Sequence, residues 1–166
     1  MLDLQVFRLA FRILYWQPYP DGFGKGHASL TEETTELVLP SRLEAINDAA
    51  RAAADFVRRS GLGEDAAYGV DLAVREAVTN AVLHGNRSDE SKAVEVGFRS
   101  TPGEIEITVR DRGEGFDPEA VPDPTDPQNL LKASGRGLLF MRTFMDALQW
   151  SRHPAGGTVV RMTKRR

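Results

Sequence analysis

The apolar positions of this chain change period several times between residues 34 and 164, and each change marks an element. Glu36 to Leu39 is a short run suited to a strand. Leu43, Ile46, Ala50, Ala53 and Val57 then recur at helical spacing, opened by a capping box, Ser41 with Glu44, and ended at Gly61. A second helix is predicted from Glu64 to about His84, with Val70, Ala73, Val74, Ala77, Val78 and Ala81 on its core face and Gly85-Asn86 ending it. Val94, Val96 and Phe98 alternate with polar residues, as do Ile105, Ile107 and Val109. Thr101-Pro102-Gly103 between them predicts a hairpin with one buried face. Residues 112 to 134 carry no period and contain Pro118, Pro122, Pro124 and Pro127, which reads as a lid or binding loop. A helix from about Gly137 to Asp146 comes next. Strands near Leu148 to Ser151 and Thr158 to Met162 close the pattern, joined through His153-Pro154-Ala155-Gly156-Gly157. Before all this, Leu2, Val6, Leu9, Ile13 and Trp16 fit a short amphipathic helix, and Pro18 to Gly26 reads as linker. The expected fold is α+β, a two-layer sandwich with a mixed, mostly antiparallel sheet and helices on one face. Residues 1–34 are an N-terminal extension and 35–164 the domain.

Composition narrows the function classes. A formal net charge of −3 leaves no basic footprint for direct nucleic-acid binding. Lys164-Arg165-Arg166 reads as a solvated tail. With no cysteine, disulfides, thiolate metal sites and cysteine nucleophiles are excluded. The longest apolar stretch, Val6 to Trp16, is interrupted by Arg8 and Arg12 and is too short to span a bilayer. Nor does the start have the charge pattern of a signal peptide, so a cytoplasmic protein without membrane contact is expected. Gly24-Lys25-Gly26 does not make a phosphate loop, because Tyr19 and Gly26 stand where glycine and a hydroxyl residue are required.

Three groups of residues carry candidate chemistry. Glu76, Asn80 and His84 succeed one another at four-residue steps, forming a polar row beside the apolar stripe of the second helix. A carboxylate and an amide so placed can hold a hard cation and activate a hydroxyl, although a solvated helix edge has the same pattern. Asp111-Arg112-Gly113-Glu114-Gly115-Phe116 stands where the second hairpin strand ends, and Ser134-Gly135-Arg136-Gly137-Leu138 where the long loop meets a helix. Glycines in such places let backbone come close to something. His84 is expected to pack at the helix end, and His27 and His153 to lie on the surface. Gly97, inside a strand, marks a bulge or a close contact. Leu72 and Leu83 suit core or interface equally.

In this order and spacing the set resembles the nucleotide-binding fold shared by gyrase, Hsp90, histidine kinases and mismatch-repair ATPases, the GHKL or Bergerat fold. Glu76-x-x-x-Asn80 matches its N box, Asp111-x-Gly113-x-Gly115 its first glycine box, Gly135-Arg136-Gly137-Leu138 the second, and Gly157-Thr158 its closing strand. The form Glu-Ala-x-x-Asn-Ala-x-x-His-Gly is most similar to stand-alone anti-sigma-factor serine kinases of the RsbW and SpoIIAB kind. The resemblance covers residues 35 to 164.

That resemblance implies ATP and Mg²⁺ as cofactors. Asp111 would accept a bond from the adenine amino group, with Gly113 and Gly115 allowing close approach. Asn80 would ligate Mg²⁺, and Glu76 would act as general base toward a serine hydroxyl. Gly135, Arg136, Gly137 and Leu138 would meet the phosphates, and Thr158 would buttress Asp111. The implied function is an ATP-dependent protein serine kinase that phosphorylates an anti-sigma-factor antagonist of the STAS type and sequesters a sigma factor, working as a homodimer. A non-catalytic ATP-binding module that grips a partner without turnover is the alternative. A detached histidine-kinase catalytic domain is a third reading, against which stands the lack of a helical hairpin bearing an acceptor histidine.

Overall fold

The protein is described here by a computed structural model covering residues 32–114 and 136–166. The helices and strands of the described residues are, in chain order, β1 (Glu33–Pro40), α1 (Glu44–Arg59), α2 (Glu64–Asn80, continued by a π-helical turn Ala81–Gly85), β2 (Ala93–Ser100), β3 (Glu104–Arg110), α3 (Arg136–Phe144), β4 (Ala147–Arg152) and β5 (Thr158–Arg165). The strands form one sheet in the order β1-β2-β3-β5-β4. Every pairing in it is antiparallel, from Glu33↔Ser100 at one edge to Arg152↔Thr158 at the other. The two-layer α+β arrangement expected from the pattern is what forms, with antiparallel pairing throughout the described sheet.

The alternation of β2 and β3 puts Val94, Val96, Phe98, Ile105, Ile107 and Val109 on the inner face, where they meet Val160 and Met162 of β5. All are buried under the helices. The outer face carries charge instead, with Glu95, Arg99, Glu106, Arg110 and Arg161. An alanine-rich stripe on α1 (Ala45, Ala49, Ala50, Ala53) is buried, its small side chains letting that helix come close to its neighbours. Phe56 on α1 reaches the sheet, its ring centroid 5.4 Å from that of Phe98. Gly97 proves to be a close contact. It pairs with Thr108, and a β-carbon there would stand 2.6 Å from the Thr108 hydroxyl oxygen.

Four local expectations are corrected. The capping box does not form: α1 begins after Leu43 with no side-chain cap, and the buried Ser41 hydroxyl has no partner among the described residues. Glu44 turns to Arg42 instead, at 3.8 Å. Leu43 is exposed because it lies one residue ahead of the helix. Lys164-Arg165-Arg166 is no frayed tail. Arg165 ends β5, and the Arg166 guanidinium bonds the Thr101 carbonyl, the Ser60 carbonyl and the Ser100 hydroxyl, tying the β2–β3 turn to the end of α1. His153 is half-buried and accepts from the Ala155 amide at Nδ1, shaping the β4–β5 turn. Gly61, by contrast, takes the left-handed conformation that a helix stop requires, with φ +81°. No helix among the described residues is long and apolar enough to cross a membrane.

Candidate functional site

Helix α2 does not simply stop. After Asn80 it widens into one π-helical turn, Ala81–Gly85, with the Asn86 amide donating to the Ala81 carbonyl at 2.8 Å. Such turns occur often at functional sites, where the extra residue re-aims the side chains next to it. Here it leaves His84 exposed rather than packed at the helix end, and sends Gly85 and Asn86 under the end of β3. Just before the widening, Glu76 and Asn80 are half-buried one helical turn apart. Burial raises the Glu76 carboxyl above its ordinary value. The Asn80 amide and the nearby His84 pull it back only in part. One residue away, Arg75 bonds Asp71 at 2.7 Å and reaches Asn47 of α1 at 2.6 Å, so the helix bearing Glu76 is braced from its neighbour.

Beside this row, α3 begins at Arg136. Gly137 is buried directly against Glu76, and a β-carbon on it would overlap the carboxylate. This glycine is required by close approach, and the first turn of α3 is thereby brought to the acid. Leu138 is partly buried against the core. Gly115 and Gly135 lie outside the described residues, as do Phe116, Ser134, His27 and nearly all of the long loop. Arg136 is placed only as the first residue of α3.

Asp111, just beyond β3, is 5% exposed. The amide of Gly113 donates to its Oδ1 at 2.8 Å, and the amide of Thr158 does so at 3.2 Å. The Asp111 amide returns a bond to the Thr158 carbonyl at 3.1 Å. Thr158 therefore does brace Asp111, through its backbone. Among the described residues no donor bonds Oδ2. Glycines surround the acid: a β-carbon on Gly85 would stand 2.5 Å from Oδ2, and one on Gly157 would overlap the Asp111 carbonyl. Gly113 likewise has no room, its Cα lying against the Gly85 carbonyl. Gly156 and Gly157 both take φ +87°. A buried carboxylate with one oxygen held by amides and the other unbonded suits a ligand that brings its own donor.

The flanking arginines are pinned on the outer face of the sheet. Glu95 accepts from Arg110 Nη1 at 3.0 Å and from Arg112 Nε at 2.9 Å. Burial pushes the Glu95 carboxyl up, but the two guanidinium groups together outweigh it and hold the group below the usual range. Asn86 works from the inner side. It is fully buried, donates from Nδ2 to the Ala93 carbonyl at 3.0 Å and accepts the Arg112 amide at Oδ1 at 2.7 Å. The sequence pattern assigned Gly85 and Asn86 only the end of a helix. An Asn after a helical Gly is what a simple stop also requires, and no spacing separates the two cases. Among the described residues no group of three His, Asp or Glu side chains gathers as a metal cage would.

Comparison with known proteins gives a consistent result. Residues 39–164 match the family described as histidine kinase-like ATPase domain. An anti-sigma F factor of Clostridium botulinum is 34% identical over 134 residues, 78% of this chain and 91% of that protein. The serine-protein kinase RsbW of Oceanobacillus iheyensis is 32% identical over 117 residues, 67% of this chain and 74% of its own. An anti-sigma F factor of Clostridium perfringens is 40% identical over 100 residues, 58% of this chain and 70% of that one.

Proposed function

The chain belongs to the histidine kinase-like ATPase domain family, and from that membership we propose that it is an ATP-dependent protein serine kinase acting as an anti-sigma factor in the cytoplasm. In this reading it phosphorylates a serine on an anti-sigma-factor antagonist of the STAS type, sequesters a sigma factor, and works as a homodimer. The names of its relatives, anti-sigma F factor and serine-protein kinase, support the assignment.

The observation that carries the reading is Glu76, half-buried one helical turn before Asn80, packed against Gly137 at the start of α3 and made more basic by burial. A carboxylate so tuned is a better proton acceptor near neutral pH than one in water. Glu76 takes the proton of the attacking serine hydroxyl or orients it. Asn80 would hold Mg²⁺, which when bound would supply charge neutralisation at the phosphates. Asp111 receives the adenine amino group at Oδ2, with Gly113 and Gly115 giving the ring close approach and Thr158 holding the acid. The first turn of α3 and the residues before it (Gly135, Arg136, Gly137 and Leu138) present amides and a helix N-terminus to the phosphates. Phosphoryl transfer asks a protein for positioning and charge stabilisation more than for covalent chemistry, and these residues offer both.

Glu76→Gln tests the reading. Transfer from radiolabelled ATP to an antagonist recovered from native cytosol should fall by about 10²- to 10⁴-fold, while ATP still binds. Unchanged transfer rejects the general base. ATP binding without transfer by the wild-type chain favours a module that grips a partner without turnover.

A further inference from the structure

We propose that Asn86 is a positioning residue for adenine recognition, aiming the Asp111 carboxylate by holding the backbone beside it. The inference rests on the reading of Asp111 as the purine-binding acid and adds to it the group that sets the acid's direction.

Asn86 is a fully buried amide whose two polar atoms bond the start of β2 and the turn that follows β3. Its Nδ2 donates to the carbonyl of Ala93, where β2 begins, and its Oδ1 accepts the amide of Arg112, the residue after Asp111. The Arg112 amide is part of the same short turn whose next amide, from Gly113, donates to Asp111 Oδ1. Fixing Arg112 therefore fixes the donor that orients the carboxylate. Gly85, one residue before, packs against Oδ2 and Cβ of the same acid. The backbone around Asn86 is arranged at some cost. The turn before it is π-helical, and Arg87 and Ser88 after it both take φ 57°, in the left-handed region that is unfavourable for a non-glycine residue. Such strain persists only where neighbouring contacts over-determine the backbone. The two Asn86 bonds and the Gly85 contact supply them, together with backbone bonds from the Ser88 amide to the Val82 carbonyl at 2.8 Å and from the Asp89 amide to the Asn86 carbonyl at 3.2 Å. Through them the helix bearing Glu76 and Asn80 is joined directly to the adenine acid. Glu95 holds only the Arg112 side chain, on the other face of the sheet.

Binding of ATP and of inosine triphosphate to the 166-residue chain separates a positioning role from a merely structural one. Inosine carries a carbonyl where adenine carries the amino group, so the ATP-to-ITP affinity ratio reads the Asp111 contact. Calorimetry gives the ratio and thermal unfolding gives stability for wild type, Asn86→Ala and Asn86→Asp. Aspartate keeps the acceptor for Arg112 and forfeits the donor to Ala93. Asn86→Ala should lower the ratio by about two- to tenfold, the span that one hydrogen bond of ordinary strength represents. Asn86→Asp should keep the ratio near wild type although it melts lower. Should the alanine variant not fold, Asn86→Ser, polar but too short to reach the Arg112 amide, is read in the same way. A wild-type ratio without the acceptor overturns the proposal. So does a ratio that tracks melting temperature across the variants instead of tracking the acceptor. A wild-type chain that does not prefer ATP over ITP overturns the adenine role of Asp111 itself, a different result from a loss confined to the Asn86 variants.

Discussion

Glu76 carries opposing demands. Removing a carboxylate from water disfavours its charge, so its proton is held more tightly in the folded chain than in the unfolded one. A group whose folded pKa is raised contributes stability that is fully present below the unfolded value and is lost as pH rises through the folded value. The window therefore opens near 4.5, the ordinary value, and closes above the raised one. Glu76→Gln, which cannot ionise, should match wild type in acid and become the more stable protein as pH rises through that window. The gain is limited because the group is only half withdrawn from water. Urea unfolding of both proteins at about pH 4 and pH 7, on either side of the ordinary carboxylate range, measures it. An advantage present equally at both would remove ionisation as its cause. The same substitution is expected to slow transfer by about 10²- to 10⁴-fold, so the residue would cost stability where it supplies chemistry.

Two elements meet at that residue, and their fit depends on a missing side chain. In an ordinary helix Gly→Ala stabilises by about 1 kcal/mol through propensity alone. At Gly137 the sign should reverse, because the new methyl overlaps the Glu76 carboxylate and α3 must move off α2. Gly137→Ala should lower the melting temperature, and adding Glu76→Ala should recover much of the loss. A double-mutant cycle reads the coupling directly, and strictly additive effects would show that the two residues do not touch. Gly69 spaces the same helices further along, its Cα facing Phe144 across the α2–α3 contact. The π-helical turn is the second device at this scale. A regular α-helix through residue 85 keeps Glu76, Asn80 and His84 in one row. The wider turn leaves the first two in place, exposes His84 and delivers Gly85 and Asn86 to the glycine box.

For the molecule as a whole, stability rests on how well α1 and α2 cover one face of the sheet. Phe56 joins these layers, 1% exposed and stacked at a tilt on Phe98. Phe56→Ala should cost about 3–5 kcal/mol in equilibrium unfolding, because the alanine-rich stripe around it has no long side chains with which to refill the space. A loss below about 1 kcal/mol would show that the helix layer collapses to close the gap. Arg166 supports the same assembly from the far end by joining α1 to the β2–β3 turn.

Periodicity determined which segments are helices and strands and which face of each is buried, since both are set by the local repeat of apolar residues along β2, β3, α1 and α2. The order of Glu76, Asn80, Asp111 and the glycine pairs was likewise legible, because their chemistry depends on residue type and spacing. What the chain order could not contain was decided by tertiary contact. Ser41 loses its cap when Pro40 is drawn into β1, and Arg166 becomes a bonded terminus through carbonyls more than sixty residues away. Asn86 becomes a buried bridge only when β2 and β3 are both in place to receive it. A residue's hydrogen-bond partners across strands are set by register and packing, quantities that no window of sequence holds. That is why the acid was visible in the sequence and the amide beside it was not.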